Sequence, residues 1–150
     1  MPSGRDYSSI ALSREETLSL IDSEVWMRIA SIDSAGKIWN LPTHFVRLGD
    51  AIYFDEDPDS MIVSSIGSEM CATIDSGYSY DDVKGVILRG PVRIVEDSQI
   101  AERVAEGITN KYAVLTSRSP LHDLEQRKIV EFRLPESPES LSWSYGKRML

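Results

Sequence analysis

The feature that most constrains this chain is a series of short β-branched and aromatic stretches separated by tight turn residues. VWMRIASI (25–32) leads into Asp33-Ser34-Ala35-Gly36, KIWNLPTHFVRL (37–48) into Gly49-Asp50, and AIYFD (51–55) into the acidic turn Glu56-Asp57-Pro58-Asp59. Stretches this short and this rich in Val, Ile, Phe and Tyr form strands, and turns this tight make each strand antiparallel to the one before. Residues 25–55 therefore predict a β-meander. Pro42 has no N–H for a ladder, so the second strand should lie at an edge or carry a bulge.

The flanking segments add helices. Ser13-Arg14-Glu15-Glu16 fits a capping box, with Leu18 and Ile21 on the apolar face of the helix it opens. A short helix is predicted over 59–67, capped by Asp59 or Ser60, with Ile62, Val63 and Ile66 inward. MCATID (70–75) reads as a buried strand, and SGYSYDD (76–82) as a loop. KGVILRGPVRIVE (84–96) reads as a long strand re-aimed at Gly90-Pro91. Ile100, Val104 and Ile108 recur at helical spacing over 98–111. The 112–126 stretch favours no single element. KIVEFRL (128–134) alternates as a strand, and LSWSY (141–145) is a last short aromatic segment.

The fold class expected from this order is mainly β: one six-stranded antiparallel barrel with flanking helices. The domain should occupy 13–145, between a flexible arm (1–12) and a tail (146–150). A six-stranded barrel fills its own lumen with side chains, so any sizeable ligand must bind outside it, in a groove or between subunits.

Charge and composition exclude several functions. The chain of 150 residues has a formal net charge of −8, and no Lys/Arg cluster is longer than Lys147-Arg148. Binding to nucleic acid or to an anionic membrane surface needs the opposite sign. No apolar run reaches the roughly 18–20 residues of a membrane span, and the first residues lack the apolar segment of a signal peptide. The single cysteine, Cys71, has neither disulfide partner nor metal-ligand spacing, and a cytoplasmic location is expected. Asp55, Asp57 and Asp59 begin like a calcium loop, but Ser60 stands at its sixth position and Ile66 at its twelfth, so no metal is expected. His44 and His122 are the only histidines, and the nucleophile elbow and glycine-rich phosphate loops are missing.

The ordered set of motifs supplies the functional reading. A strand ending in D-x-x-G, a strand with a central proline, a strand ending Tyr53-Phe54, a short helix, the Gly85-Val86-Ile87-Leu88-Arg89-Gly90-Pro91-Val92 strand and a late Leu141-Ser142-Trp143 follow one another over 13–143. This layout resembles the flavin-binding split-barrel family related to pyridoxamine 5'-phosphate oxidase. The resemblance implies a homodimer with flavin mononucleotide (FMN), or a deazaflavin coenzyme in a related branch, in clefts between subunits. It implies a flavoprotein oxidoreductase acting on a small organic molecule. The ring would lie along Asn40, Leu41, Pro42 and Thr43, with Trp143 approaching from the partner subunit. The cofactor phosphate would fall at Asp55, Ser60 and Ile62. There the family pattern carries Thr and then Ser-Arg-Lys or Ser-x-Lys, whereas this chain has lost the basic side chains. His44, Tyr78 and Tyr80 are the candidate substrate contacts. The alternative is a non-enzymatic split-barrel dimer with a degenerate phosphate site, without flavin, that binds another ligand or a protein partner.

Overall fold

A computed structural model describes residues 8–113 and 126–149. His122 and most of the ambiguous 112–126 stretch lie outside the described residues. The meander is present as β1 (Met27–Ile32), β2 (Ile38–Thr43), β3 (Val46–Leu48) and β4 (Ala51–Glu56), followed by β5 (Glu69–Ser76), β6 (Lys84–Val95), β7 (Lys128–Arg133) and β8 (Ser142–Ser144). All pairings are antiparallel, in the order β2-β1-β5-β6-β7-β4-β3, with β8 on the remaining edge of β6.

Among the described residues the sheet has eight strands, not the six expected. One extra strand arises because the 37–48 stretch is two strands, broken at His44-Phe45. The other is Ser142–Ser144, which pairs with Lys84–Val86. The break has a specific support. Phe45 is fully buried and outside any ladder, and its N–H donates to the Tyr112 hydroxyl at 2.9 Å, while that hydroxyl donates to the Val25 carbonyl at 2.6 Å. Burial pushes the Tyr112 hydroxyl up to about 12, although the Phe45 N–H opposes the shift. Tyr112→Phe leaves a buried N–H and a carbonyl unpaired and is expected to lower the unfolding free energy by about 1–3 kcal/mol, measurable by urea denaturation.

β6 is the hinge of the architecture. Its first part pairs with β5 as far as Glu69↔Pro91, and from Val92↔Phe132 onward it pairs with β7. The partner changes at the Gly90-Pro91 step, so two half-sheets share one strand and wrap around a single core. Phe45, Phe54, Phe132, Leu20, Ile29 and Leu88 fill that core. A helix, α1 (Arg14–Ser23), closes one end. Its capping box is formed: Ser13 Oγ accepts from Glu16 N–H at 3.1 Å, and Glu16 accepts from Ser13 N–H at 2.7 Å. α3 (Ser98–Tyr112), capped by Asp97, lays Val104 and Ile108 on the outer side of β4 and β7. β4 is thus covered on both faces, which is why Ala51–Phe54 runs apolar without alternation and Asp55 beyond it is still buried.

Residues 8–12, expected to belong to a flexible arm, pack on the domain. Ser8–Ile10 form a 3₁₀ turn, Ile10 and Leu12 are buried, and Leu12 N–H donates to Ser142 Oγ at 2.9 Å. The tail is tied in as well. Tyr145–Met149 form another 3₁₀ turn, and Lys147 Nζ reaches Glu16 at 2.6 Å.

Candidate functional site

Antiparallel register sorts the first half-sheet into two faces, because residues directly opposite one another share a side. Met27, Ile29, Ala72, Ile74, Val86 and Leu88 point into the core and are buried. The outward residues form transverse rows. Asn40–Ala30–Cys71–Arg89 is one, Pro42–Arg28–Thr73–Ile87 is the next, and Ile38 pairs with Ile32 beyond the first. This face carries polar side chains such as Arg28, Asp75 and Arg89, but its β1 and β2 part also exposes large apolar ones. Ile38 is 75% exposed and Ile32 55%, and Trp26, just ahead of β1, is 53% exposed. Large apolar side chains gathered on one face mark a binding surface, whereas scattered ones need no explanation. Among the described residues no strand pairs with the free edge of β2, so alternate backbone N–H and C=O groups there face outward.

Trp143 lies on the same face, four strands away from β2. A Cβ at Gly85 would meet its indole ring at 2.5 Å, so the ring sits directly on the backbone of β6 and only glycine permits it. A groove of about 620 Å³ runs beside it, lined by Leu12, Ile87, Leu141, Trp143 and Tyr145. A smaller trough of about 200 Å³ lies over Ala30 and Cys71, with Ile32 and Ile38 as one wall and Arg89 and Glu69 also lining it.

The four residues expected beneath a ring divide by parity. Asn40 and Pro42 face outward and are exposed. Leu41 leans on the core, and Thr43 is buried, with its hydroxyl donating to the His44 carbonyl at 3.2 Å. Leu41 and Thr43 therefore offer a ligand only their backbone. Trp143, four strand spacings or roughly 19 Å from β2, does not touch a ring held at β2 of its own subunit. It can reach one only across a subunit boundary.

The acidic turn after β4 is different from what its sequence suggests. α2 (Met61–Ser64) is capped by Ser60, whose Oγ accepts from Val63 N–H at 3.2 Å. Ile62 is 1% exposed and belongs to the core, so this position presents no side chain to a ligand. Asp55 is buried on the α3 side of β4, and its two carboxylate oxygens are engaged by His44 Nε2 and Arg127 Nε. Arg127 also donates to Asp57 at 2.7 Å and to the Asp55 carbonyl at 3.2 Å. Burial pushes the Asp55 carboxyl up, but His44 and Arg127 outweigh it and hold the group below the usual carboxylate range. The turn that lacked basic residues in the sequence receives one, Arg127, from just ahead of β7. The signal was present: β7 pairs with β4 so that Glu56 faces Lys128, and opposite charges at matching ends of two strands point to a pairing.

His44, Tyr78 and Tyr80 are not brought together. His44 is half-buried against Asp55, with its ring edge-on to Tyr112 at 5.7 Å. Tyr78 is fully exposed, and Tyr80 stacks on Tyr145 with ring centroids 4.8 Å apart. Among the described residues no group of three or more His, Cys, Asp or Glu side chains is placed to hold a metal ion, and no helix is long and apolar enough to cross a membrane.

The sequence profile described as pyridoxamine 5'-phosphate oxidase matches residues 13–138, which is most of the chain. The chain belongs to the pyridoxamine 5'-phosphate oxidase family. Solved structures agree on the fold. A conserved hypothetical protein from Mycobacterium tuberculosis superposes with a TM-score of 0.82 at 18% identity, covering 98% of this chain and 94% of that one. The FAD binding protein from Mycobacterium smegmatis gives a TM-score of 0.66 at 20% identity, covering 85% of this chain and 92% of that one. An FAD and heme binding protein from the same organism gives 0.67 at 14% identity, covering 89% and 72%. No curated protein matches the sequence. Within this member of the pyridoxamine 5'-phosphate oxidase family, the open sheet face offers apolar area and free backbone groups, whereas the β4–α2 turn is closed by the chain's own ion pairs.

Proposed function

We propose that the protein is a flavin-binding homodimer that works as an oxidoreductase on a small organic molecule. The observation that carries this reading is the coincidence of an exposed apolar sheet face with an unpaired strand edge at β2. The apolar face suits a second copy of the chain, and the outward N–H groups of β2 suit the electron-rich edge of an isoalloxazine ring. Family membership and the FAD binding described for two of the structural neighbours support the same reading. A bound flavin supplies the hydride and electron transfer; the chain's part is to orient the ring and exclude water. In the dimer, Trp143 of the partner subunit would border the ring. The groove beside Trp143, with Tyr80 stacked on its lining residue Tyr145, is where a substrate would enter.

The fit is good at the ring end and poor at the β4–α2 turn. That turn favours a second reading: a split-barrel dimer that has given up flavin and uses its face for another ligand or a protein. One experiment separates the two. Purified protein is expected to bind FMN, FAD or the deazaflavin coenzyme with a dissociation constant of tens of micromolar or tighter, followed by the visible spectrum. Protein that is colourless as isolated and binds none of the three at that concentration is the second kind.

A further inference from the structure

We propose that Arg89 anchors the phosphate of the bound flavin, in place of the β4–α2 turn. The inference rests on the flavin reading above and assigns the anionic end of that site.

Near the turn, Lys128 stands opposite Glu56 in the β4–β7 register, and the other cation and the family's remaining phosphate positions are committed. Arg127 is held by Asp55 and Asp57, Ser60 Oγ accepts from the backbone of α2, and Ile62 is core. Arg93, on the later part of β6, gives Glu131 two hydrogen bonds of 2.7 and 3.0 Å. On the open sheet face, Arg28 is paired with Asp75 at 2.6 Å. Arg89 is exposed on that face, and no carboxylate among the described residues is within ion-pair distance of it. Its planar fork of donors matches a phosphate, and its charge strengthens each bond.

Position supports the assignment. Arg89 ends the row Asn40–Ala30–Cys71–Arg89, which crosses three strand spacings, roughly 14 Å at the usual separation. Asn40 is on the strand whose free edge faces the ring. Ala30 and Cys71 between them are small and floor the trough, with Ile32 and Ile38 walling it. A ring at β2 leaves its ribityl chain lying over that floor, where no bulky side chain lifts it, and its phosphate at the guanidinium. Glu69 also lines the trough. With a carboxylate nearby, a phosphate depends all the more on Arg89.

The test compares FMN with riboflavin, which lacks the phosphate, by quenching of flavin fluorescence in the wild-type protein, Arg89→Gln, Arg89→Lys and Ser60→Ala. The wild type should prefer FMN over riboflavin by about 10-fold or more, the scale of one charge-assisted anchor. Arg89→Gln should bring that ratio close to 1 without changing riboflavin affinity, Arg89→Lys should keep part of it, and Ser60→Ala should keep all of it. A wild type without preference for FMN overturns the assignment. So does Arg89→Gln with the wild-type ratio, or Ser60→Ala with the ratio lost. In each of these cases riboflavin still binds and the flavin reading stands. Failure of both FMN and riboflavin to bind the wild type overturns the assignment, and failure of FAD and the deazaflavin coenzyme as well overturns the flavin reading too.

Discussion

Replacing Arg127 by alanine is expected to lower the unfolding free energy by about 3 kcal/mol, the lower end of the roughly 3–5 kcal/mol typical when a buried charge loses its partner. Asp55 is 1% exposed, and its carboxylate is compensated from two sides, by His44 and by Arg127. Removing Arg127 leaves His44 in place, which is why the lower end applies. Urea denaturation at neutral pH reads the loss, and the double variant Arg127→Ala with Asp55→Asn should regain part of it, because the uncompensated charge is then gone. The pH dependence follows from linkage. Asp55 and Glu131 are both held below their ordinary range: burial pushes each up, but the charged and hydrogen-bonded partners outweigh it. As pH falls through the ordinary carboxylate range near ~4, the unfolded chain takes up protons that the folded chain still refuses. Stability contributed by these two groups is therefore complete above that range and is lost progressively below it, through the folded values. Without Arg127 the Asp55 carboxyl moves up toward its unfolded value, so the part of the acid loss that comes from Asp55 should shrink. Arg127→Ala with wild-type stability, within about 0.5 kcal/mol, would mean that the pair is worth no more than an ordinary surface contact.

The elements of this fold were legible because their signals are local. The capping box at Ser13 and Glu16, the D-x-x-G turn at Asp33 and the alternation over 128–134 each specify an element within a few residues. In the turn, Asp33 Oδ1 accepts from the Ala35 and Lys37 N–H groups at 2.9 Å, and Gly36 takes a positive φ of 78°. What the sequence hid was long-range. The break at His44-Phe45 is held by a tyrosine 67 residues away, and the charge on the acidic turn is met by an arginine 72 residues from Asp55. No window of the sequence contains either pair. The candidate site was half legible for the same reason. The order of motifs located the second strand, but parity separates Asn40 and Pro42 from Leu41 and Thr43, and parity depends on the register with β1. The helix pattern at Ile62 pointed inward from the start. Its assignment to a phosphate followed a family pattern that this chain does not carry.

Ile38→Asp is expected to weaken the proposed dimer by at least about 100-fold, the scale of a buried apolar anchor at an interface centre. Ile38 is 75% exposed in the protomer and, among the described residues, pairs across the sheet only with Ile32. A carboxylate there costs the isolated subunit little, and circular dichroism should show an unchanged fold. Across a two-fold axis the same substitution appears twice on one self-complementary patch, so two new charges are desolvated together. Small-angle scattering at tens of micromolar should show a dimer for the wild type and a monomer for the variant. Flavin affinity should fall with the dimer, because in this arrangement the ring rests against β2 of one subunit and Trp143 of the other. A variant that stays dimeric would move the interface to another face. A monomeric variant that keeps full flavin affinity would place the whole ring site within one chain, and then the roughly 19 Å between β2 and Trp143 would exclude Trp143 from it.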